Sequence, residues 1–134
     1  MGDLRLRKFE RLCSRTAVDR LFAEGHSIIA YPLRAVWLGR KAGDQPVRML
    51  VNVPKKKHRH AVDRVLLRRR IREAYRLHRH TILTPALEAA STAIDVAFLF
   101  LSNERTPYST IEARMCELLS RIAQQVVTPT PSNA

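Results

Sequence analysis

Carboxylates are scarce in this chain: 12 Asp and Glu stand against 24 Lys and Arg, for a net charge of +12. They are also scattered, with no Asp-x-Asp or comparable group. A metal-dependent nuclease needs clustered carboxylates to hold its divalent ions, so that chemistry has no donor set here. Cysteine is nearly absent too. Cys13 and Cys116 lack metal-site spacing, and two thiols do not make a disulfide framework. They read as reduced, partly buried thiols of a cytoplasmic protein. No apolar run approaches the length that spans a bilayer, and MGDLRLRKFERLC lacks the apolar core and cleavage site of a secretory signal. No internal repeat is evident. The 46% hydrophobic content across 134 residues supports one folded domain with a real core, expected over residues 1–127, ahead of a frayed polar tail at 128–134.

What is present is basic charge, crowded into one place. Eleven of the 24 Lys and Arg fall between Lys55 and His80, against only Asp63 and Glu73, so this stretch holds +9 of the net +12. Residues 81–134 hold three basic and five acidic groups. Like charges four apart on a helix destabilise it, so such crowding calls for a polyanionic partner, nucleic acid first.

Ahead of this stretch, residues 1–13 read as an extended basic arm. Ser14 or Thr16 is placed to cap a short helix through AVDRLFAEG, with Ala17, Val18, Leu21 and Phe22 on one face and Gly25 as terminator. Ile28 to Leu38 is rich in strand formers, with Leu33, Ala35 and Trp37 on one face and Arg34, Val36 and Leu38 on the other. GRKAGDQP is a turn-forming linker to a second strand, VRMLVNV, and the pair reads as a hairpin. A helix is expected from about His60 to His80. Asp63, Leu67, Ile71, Ala74, Tyr75 and His78 share its protein-facing side, and Arg68, Arg69, Arg72, Arg76 and Arg79 the opposite one. Thr84 and Pro85 begin a connection to AIDVAFLFL, a buried central strand. Ser109 and Glu112 resemble a capping box for a last helix with Ile111, Met115, Leu118, Leu119, Ile122 and Val126 as its apolar stripe. The order predicts a two-layer α/β (α+β) sandwich with a small mixed sheet.

The arginine stripe offers forks of N–H donors that match phosphate oxygens, and Lys55, Lys56, Lys57 and Arg59 add charges where the chain enters the helix. The bland alternative is a solvated helix face, but the run is one-sided and almost free of acids. His58, His60, His78 and His80 form two His-x-His pairs about 30 Å apart at 1.5 Å per residue. Side chains two apart on a helix do not share a face, so these histidines read as solvated or phosphate-touching rather than metal-binding or catalytic.

VNVPKKKHRHAVDRVLLRRRIREAYR resembles the signature of the protein subunit of bacterial ribonuclease P, in which a strand ending in a Lys pair leads into a helix of the form A-V-x-R-N-R-x-K-R-x-I-R-E-A-(Tyr/Phe). Ala61, Val62, Arg64, Arg69, Ile71, Arg72, Glu73, Ala74 and Tyr75 match, and Arg68 stands where the family's Lys is found. AVDRLFAEG is similar to the family's early F-x-x-V-F-x-x-G helix, with Val18 in place of the usual aromatic. Val65 and Leu66 replace the family's Asn and Arg; Val65 is expected to project among the arginines, Leu66 to extend the packing, and Arg70 to point nearer the protein.

The resemblance implies a ribosomal-protein-S5-domain-2-like fold with a left-handed crossover between parallel strands. It also implies a role beside a catalytic RNA that removes the 5′ leader from precursor tRNA. The expected partners are that RNA and precursor tRNA, with no membrane and a monomeric protein. Magnesium enters through the RNA, the protein alone binds no cofactor, and no catalytic or metal-ligating residue is assigned to the protein. The RNA-binding set is Lys55, Lys56, Lys57, Arg59, Arg64, Arg68, Arg69, Arg72 and Arg76. The implied leader cleft, between the first helix and the sheet, is furnished by Phe22, Val36, Trp37 and Lys56, an aromatic floor with a basic rim on which bases can stack. Core packing is the competing role for Phe22 and Trp37. The alternative function is a ribosomal-type RNA- or DNA-binding module with no part in cleavage.

Overall fold

The computed structural model describes residues 15–40 and 47–127. The expected N-terminal arm, the Ser14 cap, Cys13, most of the GRKAGDQP linker and the polar tail lie outside the described residues. The elements run α1 (Arg15–Glu24), β1 (His26–Ala30), β2 (Leu33–Arg40), β3 (Val47–Asn52), α2 (Ala61–Ile82), α3 (Thr84–Ala90), β4 (Ala93–Phe100) and α4 (Tyr108–Val127). The four strands form one mixed sheet in the order β1-β2-β4-β3.

The most apolar segment becomes the inner strand. β4 pairs antiparallel with β2, from Leu33↔Phe100 to Arg40↔Ala93, and parallel with β3, from Val47↔Ile94 to Asn52↔Leu99. This placement overturns the expected hairpin of β2 with β3. The two are neighbours in sequence, yet β4 lies between them, because a strand buried on both faces also gains from pairing on both edges. The actual hairpin is β1 with β2, closed at Tyr31–Pro32. The connection expected at Thr84 and Pro85 is instead the short helix α3, which buries Leu87 and ends at Ser91 in the left-handed region, φ 52°. Together α2 and α3 span the gap between the parallel strands β3 and β4.

Strand alternation divides the core in two. On one face Leu33, Ala35, Trp37, Met49, Val51, Ile94, Val96, Phe98 and Phe100 pack under α2 and α4. On the other, Val36 and Ala97 pack against Leu21 of α1, with Leu38, Leu50 and Leu99 only partly covered. Gly25 makes the second contact possible. A Cβ there would lie 2.4 Å from the Leu21 carbonyl oxygen and 2.7 Å from Val36 Cγ1. Among the described residues the ten-residue α1 is the helix packed on this face and leaves part of it uncovered, so the sheet has one sealed side and one half-open side.

α2 docks through Leu67, Ile71, Ala74 and Tyr75, all buried. Burying each large apolar side chain contributes roughly 1.5–3 kcal/mol. Each like-charge pair on the outer face costs only about 0.2–0.5 kcal/mol. Docking therefore outweighs the arginine crowding.

Candidate nucleic-acid interface

Val65, Arg68, Arg69, Arg72, Glu73 and Arg76 line a shallow recess of about 360 Å³ on the outer side of α2. Val65 does stand among the arginines. Arg70 points inward and donates to the Thr106 carbonyl at 2.6 Å. Among the described residues no ion pair holds Arg68 or Arg69, whereas Arg76 is forked on Glu73, Nε to Oε1 at 3.0 Å and Nη2 to Oε2 at 2.6 Å. That hydrogen-bonded guanidinium holds the Glu73 carboxyl below its usual range, against a smaller opposing effect of burial. Arg76 thus reaches the surface already committed in part, and Arg68 and Arg69 are the less encumbered donors.

Arg79 does not belong to this face. It is buried to 5% exposure, with its guanidinium 5.7 Å from the Tyr75 ring centre. A helical wheel treats a flank as solvent, but α2 runs on to Ile82 and turns directly into α3, so the flank one turn beyond Tyr75 is covered.

The basic turn before α2 is built on Pro54, whose carbonyl accepts from the N–H groups of Lys57 and His58, both at 3.2 Å. The turn leaves Lys55, Lys56, Lys57 and Arg59 exposed. Arg64 folds back from α2, and its Nη1 donates to the carbonyls of His58 and Arg59 at 2.9 Å each. This residue, expected to contact RNA, also braces the turn that displays its neighbours. His58 departs from expectation. It is buried, with Nε2 2.8 Å from the Ser102 carbonyl and its ring 5.4 Å from that of Phe100. His78 likewise pairs with Glu112 at 2.8 Å between α2 and α4. Glu112 is thereby engaged away from the expected capping box, and α4 begins a residue before Ser109. Among the described residues no group of three or more His, Cys, Asp or Glu is arranged to hold a metal ion.

The half-open face of the sheet forms a second candidate surface, with a different membership from the one expected. Trp37 is not in it. Trp37 and Val36 are consecutive strand residues, so they face opposite sides. The indole packs in the sealed core, beside His26 at 4.8 Å between ring centres, and its Nε1 donates to Gln125 Oε1 of α4 at 2.9 Å. Val36 faces α1 but is buried beneath it. Phe22 is 46% exposed on α1, next to Val18 on the helix surface, and Lys56 is exposed in the turn after β3. The open floor consists of Leu38, Leu50 and Leu99, with Arg34, Arg40, Arg48 and Asn52 on the same side of their strands. Strand alternation is the sequence signal for these residues, and the same alternation sends Trp37 to the opposite side.

These surfaces define a class: a small α+β protein that displays arginines along one side of a docked helix beside a half-open sheet. The ribonuclease P family model matches residues 6–123. The ribonuclease P protein component of Porphyromonas gingivalis is 39% identical over 130 residues, covering 96% of this chain and 91% of that protein. That of Chlorobaculum tepidum is 40% identical over 77 residues, covering 54% and 49%. Among solved structures, the Staphylococcus aureus RNase P protein superposes with a TM-score of 0.67 at 23% identity, covering 86% of this chain and 95% of that one. The Thermotoga maritima RNase P protein gives 0.66 at 24%, covering 84% and 96%. The chain belongs to the ribonuclease P protein family. No helix among the described residues is long and apolar enough to cross a membrane.

Proposed function

We propose that this chain is the protein subunit of a ribonuclease P. It assists a catalytic RNA in the endonucleolytic removal of the 5′ leader from precursor tRNA. The observation that carries the reading is the one-sided α2: an apolar side fixed in the core, and an outer side of Arg68, Arg69, Arg72 and Arg76 continuous in sequence with the lysine turn. Guanidinium forks fixed on a docked helix match the phosphates of a folded RNA without first being ordered. The half-open face, with Phe22 and its basic neighbours, holds the single-stranded leader.

In this reading cleavage belongs to the RNA, and magnesium acts in the RNA's active site. The protein neutralises phosphates where two RNAs converge and extends the grip onto the leader. The test is reconstitution with a cognate catalytic RNA: adding the protein should lower the magnesium concentration needed to cleave precursor tRNA. An unchanged magnesium requirement would favour an RNA-binding module with no part in cleavage.

A further inference from the structure

Asp95 is a charged residue inside the most apolar strand, 6% exposed on the half-open face. It is held from both sides. Arg48 of β3 forks onto it, Nε to Oδ1 at 2.9 Å and Nη2 to Oδ2 at 3.0 Å, and Arg40 of β2 donates through Nε to Oδ1 at 2.8 Å. Asp95 and the guanidinium groups on its two flanking strands make a largely buried ionic trio. Stability alone does not call for it, because apolar packing at such a site is generally as stabilising as a buried ion network.

The trio does, however, fix the direction of two arginines. Arg48 spends two of its five N–H donors on Asp95, and no described residue accepts from the other three. Its side chain remains 32% exposed. A guanidinium already locked on one edge loses little further freedom when its other edge meets an oxyanion. Along β3 the same face carries Arg48, Leu50 and Asn52, and the chain then enters the lysine turn. Arg48 therefore stands about 13 Å from Asn52, at the end of this face away from the lysines.

We infer that Arg48, yoked to Arg40 through Asp95, forms a phosphate-binding fork for single-stranded RNA lying along β3. The inference rests on the leader-binding reading above and adds a second grip, at the far end of the face. A leader must extend past the lysine turn to reach it, so the fork favours long leaders over short ones.

The experiment measures binding of precursor tRNAs with long and short leaders across a salt series, using holoenzyme reconstituted with wild-type or Arg48→Ala protein. The variant is expected to flatten the log–log salt slope for the long leader by about 0.7, the value for one phosphate on a single strand, and to leave the short-leader slope in place. An unchanged long-leader slope, in a protein that melts as wild type, would overturn the fork. Should Arg48→Ala fail to fold, Arg48→Lys decides the point, because it keeps the charge and loses the fork. Severalfold weaker long-leader binding supports the inference, and wild-type binding overturns it. Phe22→Ala is run in parallel. If it abolishes the preference for leader-bearing tRNA while Arg48→Ala changes nothing, only the fork fails; if neither matters, the leader reading fails with it.

Discussion

Side chains of one type do different work here according to where the fold sets them. Arg70 ties down the loop before α4, Arg64 braces the basic turn, Arg79 lies over a buried ring, and Arg68 and Arg69 have no ion-pair partner among the described residues. Burial decides chemistry in the same way at Cys116. The thiol is free and partly covered; burial raises its pKa, and the nearby Glu112 carboxylate raises it further. A thiol held above its usual range has less thiolate at any given pH. Iodoacetamide should therefore alkylate Cys116 more slowly at pH 8 than a model peptide thiol, with the rate rising as pH passes the ordinary cysteine range. Site-resolved mass spectrometry separates its rate from that of Cys13; a model-peptide rate at Cys116 would show the thiol to be unperturbed.

Between elements, the loop from Leu101 to Pro107 is pinned to α2 and its entry turn at three points: His58 on the Ser102 carbonyl, Asp63 on Arg105 at 2.9 Å, and Arg70 on the Thr106 carbonyl. The turn displaying the lysines is thus set by β4 and its following loop as much as by α2. His58→Ala should cost about 1–3 kcal/mol, seen as a lower melting temperature, because it leaves a buried carbonyl without its partner. A wild-type melt would show that His58 does not anchor the turn. The sequence pattern was enough to place α2, β4, the α4 stripe and the central position of β4, since each rests on strong apolar periodicity. It was not enough to show that β4 separates β2 from β3, because pairing partners depend on distant segments. The roles of His58 and Arg79 were hidden for a related reason: polar residues are buried by what tertiary packing brings over them, which periodicity does not record.

On the scale of the whole molecule, charge and covering are distributed together. One sheet face is sealed under α2 and α4, and the other is left half open by a ten-residue α1. The residues offered to RNA then fall into two groups, the outer side of α2 with its lysine turn, and the strip along β3. The first group carries the account. The direct measurement is the salt dependence of binding to a cognate catalytic RNA for wild-type protein and for the triple variant Arg68→Ala, Arg69→Ala, Arg72→Ala. The melting temperature should hold, and the log–log slope should flatten by about 0.7–0.9 for every phosphate contact removed. A triple variant that binds with the wild-type slope would contradict the assignment of this helix face to RNA.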